Sequence, residues 1–85
     1  MAIHWRSSYA WKKKRREIKR IYNGKCALCG STLNVEAHHI IPLAVLPQLR
    51  LDNNNIVLLC SHCHKLAHNG LVSQAKLISI TKEHT

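Results

Sequence analysis

Residues 54–70 read NNIVLLCSHCHKLAHNG, and three kinds of segment follow one another in it without a break. Ile56 to Leu59 is a continuous apolar run of strand length. Cys60-Ser-His-Cys63 has the spacing of a metal-binding knuckle, in which the backbone bends so that two thiolates face one ion. Ser61 stands where it can cap a short helix that stops at Asn69-Gly70. On that helix His64 and His68 are spaced i, i+4, so both rings project from one face, the arrangement by which two imidazoles grip one metal.

The second knuckle needs a first, and it lies upstream as Cys26-Ala-Leu-Cys29, with 30 residues between the two pairs. Soft sulfur in two such pairs suits a tetrahedral zinc, so Cys26, Cys29, Cys60 and Cys63 are expected to hold a structural Zn2+. The competing readings are a redox pair or two pairs of buried free thiols, and a site in which His62 replaces one cysteine. Disulfides are disfavoured, because no apolar run near the N-terminus resembles a signal peptide and none is long enough to span a membrane, which leads us to expect a cytoplasmic protein. In a chain of 85 residues, whose apolar core is small, a metal staple would supply folding free energy that packing alone lacks. With no internal repeat, residues 1–85 are read as a single domain.

Charge is the second bound. The formal net charge is +9, and residues 1–25 carry nine of the thirteen Lys and Arg with one acid, Glu17. This points to a polyanionic partner, with a merely solvated surface or an anionic membrane as the bland alternatives. The segment around residues 8–22 is expected to be a helix, with Ser7 or Ser8 as N-cap and Asn23-Gly24 as its stop. Trp11, Ile18, Ile21 and Tyr22 make a narrow apolar stripe that docks the helix, leaving Lys12, Lys13, Arg15, Arg16, Lys19 and Arg20 outward. The stripe is too thin for a helix lying in a membrane, so no membrane partner is expected.

Between the knuckles, Leu33, Val35, Ala37, His39 and Ile41 alternate with Asn34, Glu36, His38 and Ile40, as on a strand. His38 and His39 then face opposite sides. Pro42 and Pro47 break the pattern, residues 43–55 read as a loop, and the run from Ile56 closes a hairpin with a long connection. The fold expected is therefore α+β: a basic helix, then a hairpin and helix over about residues 33–69 stapled by the cysteines, and a tail 71–85 that packs as strand or helix or hangs free. Taken singly, His39 reads equally well as a satisfied core histidine, and His64 or His68 as surface; together with Asn55 the set is hard to explain as packing.

These residues resemble a known family. "CALCG", "AHHIIPL", "NNIVLLCSHCHKLAH" and the upstream "WKKKRREIKRIYNGKC" look like the zinc-containing HNH endonucleases with a ββα-metal finger, over roughly residues 9–69. The resemblance implies that His39 is the general base, that Asn55 is the N and His64 the last H of the name, and that His38 and His68 join His64 as ligands of a catalytic ion. Many relatives carry paired glycines in the loop after the first histidine; here Pro47 to Asp52 stand in their place. Small stand-alone copies of this kind are often phage-encoded, which by analogy suggests a bacterial host cell and a partner in a phage DNA-packaging or processing machine.

The implied chemistry is consistent with the residue types. In-line attack of water on a phosphodiester needs a proton acceptor, and an imidazole with an ordinary pKa of about 6.5 suits that task near neutral pH. Neutral imidazole ligands leave a bound ion most of its charge to stabilise phosphoryl oxygens, and Mg2+, Mn2+, Ni2+ and Zn2+ are all open choices. The expected function is thus metal-dependent hydrolysis of DNA by nicking or double-strand cleavage. Its substrate would be duplex DNA read with weak sequence preference, because Lys12, Lys13, Arg15, Arg16, Lys19, Arg20 and Lys65 offer mainly phosphate contacts. The alternative is a nonenzymatic zinc-stapled nucleic-acid-binding module or adaptor of a larger DNA-processing machine.

Overall fold

The computed structural model describes residues 8–84; Ser7, one of the two expected caps, lies outside them. The order of elements is helix α1 (Tyr9–Ile21), strand β1 (Val35–His39), strand β2 (Ile56–Cys60), helix α2 (Ser61–His68) and helix α3 (Gln74–Glu83), with short 3-10 turns at Pro47–Leu49 and Asn53–Asn55. This is the small α+β architecture expected.

Helix α1 starts where Ser8 Oγ accepts the Trp11 N–H at 3.2 Å, satisfying one of the orphan donors of a helix N-terminus. It ends as Asn23 and Gly24 turn left-handed, at φ 56° and 70°. The N–H of Gly24 then reaches back to the Lys19 carbonyl at 2.8 Å and that of Asn23 to the Arg20 carbonyl at 3.0 Å, the paired bonds of a Schellman ending. Helix α2 ends the same way, with Gly70 N–H on Ala67 and Leu71 N–H on Leu66. Its start differs from expectation. The cap is Cys60, whose Sγ accepts the Cys63 N–H at 3.4 Å, and Ser61 is the first helical residue.

The two strands pair antiparallel in the register Val35↔Cys60 to His39↔Ile56. Every residue of β2 is buried, which accounts for an apolar run without alternation: both faces are covered, and α1, α2 and α3 all contact it. Trp11, Ile18 and Tyr22 dock α1 onto this strand as buried core residues. The tail folds as α3, whose N-cap Ser73 accepts the Lys76 N–H. Leu77 and Ile80 join the core, and buried Thr81 donates to the carbonyls of Ile78 and Asn54. Among the described residues no helix is long and apolar enough to cross a membrane.

Candidate metal and nucleic-acid site

The cysteines are brought together by the hairpin. The first knuckle is closed by Cys26 N–H on the Ser31 carbonyl and Gly30 N–H on the Cys26 carbonyl, and it is tied to β2 by Ala27 N–H on Leu58. Gly30 takes φ 79° there, a conformation that costs a residue with a Cβ. The second knuckle is the β2–α2 junction itself. All four Sγ atoms lie within 4.8 Å of one another, and Cys29 and Cys60 are 3.6 Å apart. A tetrahedron of sulfurs about 2.3 Å from zinc has edges of about 3.8 Å, so the cluster fits that ion. The electrostatics agree. Burial raises the Cys26 thiol, but N–H groups of Cys29, Cys60 and Leu28 outweigh it and bring its pKa down to about 6. Burial and the neighbouring thiols push Cys63 strongly up. One sulfur is thus readied for ionisation while another resists, a conflict that a divalent cation among the four would remove.

The histidines are positioned by the end of β1. Adjacent strand residues diverge, and here they meet different helices. His38 packs edge-on against His64 of α2, with ring centroids 4.7 Å apart. His39 stacks on Trp11 of α1 at 4.7 Å and an interplanar angle of 25°. Burial first, then repulsion from the charged forms of His64, His39 and His68, lowers the His38 pKa to about 4, so its ring is neutral and able to bind a cation at neutral pH. The His39 Nε2 lies 2.9 Å from the Arg50 carbonyl. A carbonyl only accepts, so Nε2 carries the hydrogen and Nδ1 the lone pair.

Asn55 is 3 % exposed and does not orient His39 through its side chain. Its Oδ1 accepts the Ile41 N–H at 2.8 Å, its Nδ2 donates to the Ile41 carbonyl at 3.2 Å, and its own carbonyl accepts the Ile40 N–H. It clamps both ends of the 42–54 loop. The contacts of Asn55 hold the loop, while Arg50 supplies the carbonyl that meets the ring.

An open groove of about 980 Å³ joins these parts. Its walls include Lys12, Arg15, Arg16 and Lys19 of α1 together with His38, His39, His64 and His68. Lys13, Arg20 and Lys65 do not line it, so the basic residues divide into a groove-facing row and an outer set. His68 shares the groove with the touching pair His38 and His64. Among the described residues, however, only the cysteines form a set of three or more such donors all within 4.8 Å of one another.

Lys14 was not among the residues read as functional. Its Nζ donates to Glu17 at 2.9 Å and to Asn53 Oδ1 at 2.7 Å, and Asn53 Nδ2 donates to the other Glu17 oxygen. Hydrogen bonds from Lys14, then Asn53, hold the Glu17 carboxyl below its usual range. The bridge ties α1 to the segment leading into β2. Nothing in a basic run distinguishes the lysine that turns back from those that face solvent.

A family model for HNH endonucleases matches residues 26–70, more than half of the chain, and the protein belongs to that family. Its coarse function is accordingly that of a nuclease or nucleic-acid-binding domain, with DNA as substrate or partner. No match is found among the curated proteins compared, and none among solved structures.

Proposed function

We propose that the protein is a metal-dependent endonuclease that hydrolyses phosphodiester bonds of duplex DNA. The observation that carries this reading is one groove shared by the groove-facing cations of α1, the touching His38 and His64 rings, and His39 with its Nε2–H on the Arg50 carbonyl. His39 is the general base: its imidazole takes a proton from the attacking water, the water oxygen bonds to phosphorus, and the bond from phosphorus to the 3′ oxygen breaks as that oxygen takes a proton from solvent. His38, His64 and His68 would hold one divalent ion, which when bound supplies charge stabilisation to the phosphoryl and leaving oxygens. Asn55 serves by keeping the loop, and with it the Arg50 carbonyl, in place. Cys26, Cys29, Cys60 and Cys63 would hold a structural zinc.

Lys12, Arg15, Arg16 and Lys19 meet phosphates flanking the scissile bond, while Lys13, Arg20 and Lys65 add to the field outside the groove. Phosphate contacts carry little sequence information, so cleavage is weakly sequence-selective.

Supercoiled plasmid incubated with the protein and magnesium, manganese, nickel or zinc tests the activity directly. The parent yields relaxed or linear DNA in at least one metal and His39→Ala does not. If both bind DNA and leave it intact in every metal, the protein is a binding module instead.

A further inference from the structure

We propose that the turn after β1, Pro42 to Pro47, is an apolar wedge that enters the minor groove of the bound duplex and opens a base step there. Cleavage is then steered by how easily the DNA deforms, not by contacts to base edges. The inference rests on duplex DNA being the occupant of the protein's groove.

Pro42-Leu-Ala-Val-Leu-Pro47 presents six consecutive side chains that neither donate nor accept a hydrogen bond, in a chain of net charge +9. Such a run ordinarily marks a core. Here it does not: Pro42, Ala44, Val45 and Pro47 are exposed, Val45 to 65 %, and neither Leu43 nor Leu46 joins the core cluster or packs against it. The turn is nevertheless well held. The N–H groups of Val45 and Leu46 both donate to the Pro42 carbonyl, at 2.9 and 3.2 Å, the prolines fix two φ angles, and the Asn55 clamp grips Ile41 immediately before it. Ordering such a projection costs entropy at folding rather than at binding.

Its surroundings indicate what covers it. Pro42, Leu43 and Ala44 line the same groove as the four groove-facing cations of α1, and Glu36 is the one acid among the lining residues. A duplex drawn in by those cations sets its phosphates against α1 and its less polar parts, the sugar faces and base edges, against the turn. An apolar protein partner would leave the four cations unanswered. Without donors or acceptors the turn cannot read the hydrogen-bonding code of the base edges, but apolar side chains inserted from the minor groove part a base step and kink the duplex. Unstacking costs least at flexible pyrimidine–purine steps and at mispaired bases.

The test uses zinc-loaded protein in a His39→Ala background, so that the DNA survives. It compares a labelled duplex with a central mismatch, the same duplex fully paired, and one of its single strands. Anisotropy should show the mismatched duplex bound about tenfold more tightly than the paired one, and the single strand most weakly. Leu43→Ala combined with Val45→Ala should reduce that preference to less than about threefold. Affinity for the paired duplex and its slope against salt should stay as before, because the phosphate contacts are untouched. Val45→Ala alone replaces the pair if zinc content or thermal midpoint shows that the pair is not folded. A 2-aminopurine beside the mismatch should brighten when the parental turn binds and stay dark with the variant turn.

Equal binding of mismatched and paired duplexes, a preference that survives the variant turn, a salt slope that falls with it, or a single strand bound as tightly as the mismatched duplex overturns the proposal. So does a 2-aminopurine that stays dark with the parental turn. With His39 restored and manganese present, cuts in a paired duplex should cluster at pyrimidine–purine steps; cuts spread evenly over all steps also overturn it. If nothing is cut but the binding pattern holds, the endonuclease reading fails and the wedge stands. If no duplex is bound, both fall.

Discussion

His38 is the residue whose surroundings make the sharpest statement about pH. Its folded pKa lies near 4, below the ordinary 6.5, because burial and neighbouring imidazoles disfavour the charged ring. Between these values the unfolded chain binds the extra proton, so the contribution of His38 to stability is present above pH 6.5 and is lost as pH falls towards 4. The ring should titrate near pH 4 by NMR in the zinc-loaded protein with no second metal added. The urea midpoint should fall more steeply over that window in the parent than in His38→Gln. Asn55 makes a different demand. Asn55→Ala leaves the Ile41 N–H without its acceptor in a buried place and should cost about 1–3 kcal/mol in urea unfolding. Of the candidate residues, the cysteines and the paired histidines were legible because ligand spacing is a property of side chains. The Arg50 carbonyl was not, since a main-chain acceptor is offered by every residue and only the folded loop selects one. Trp11 was legible as a docking residue, but no spacing rule places the indole against His39.

Among the elements, α1 combines two surfaces with separable consequences. Its apolar stripe docks on β2, and its cations divide into the groove-facing Lys12, Arg15, Arg16 and Lys19 and the outward Lys13 and Arg20. Neutralising one groove-facing cation should lower the salt dependence of DNA affinity by about 0.9 in log–log slope, and neutralising Lys13 should change it less. Anisotropy titrations across salt with His39→Ala as the common background measure both. The stripe, the caps at Ser8 and Asn23-Gly24 and the strand at Ile56 were all readable from local pattern. Helix α3 was not. Leu77, Ile78 and Ile80 suit either a strand or a helix period, and the choice is made by the Ser73 cap and by Thr81 reaching the Asn54 carbonyl, a contact across 27 residues. The capping of α2 by Cys60 rather than Ser61 has a similar origin, because the thiol is already turned towards the Cys63 N–H by the knuckle.

At the scale of the whole molecule, the cysteine cluster joins the segment after α1 to the junction of β2 and α2. Binding free energies of about 10–16 kcal/mol for structural zinc exceed or match the whole stability expected of a small domain. Stripping zinc with a strong chelator should therefore abolish the far-ultraviolet signature of the fold in one transition. Cys60→Ala should fail to fold, whereas His64→Ala should keep about one zinc per chain by elemental analysis. The general plan was legible because the knuckles mark its fixed points. How closely the basic helix approaches the histidines was not, since that distance is set by core packing and by the Lys14 bridge rather than by any local motif.

The Asn55 clamp has an evolutionary consequence. Because Ile41 and Asn55 are joined at the base of the loop, the hairpin register does not depend on what the intervening residues do, and loop closure costs only about 0.6 kcal/mol for each doubling of length. The Arg50 carbonyl and the Asn53 bridge both lie in the second half of that loop. Insertions near Ala44 and Val45 are therefore the ones the chain can absorb, and substrate preference can be remodelled there by adding residues while the machinery beneath stays where it is.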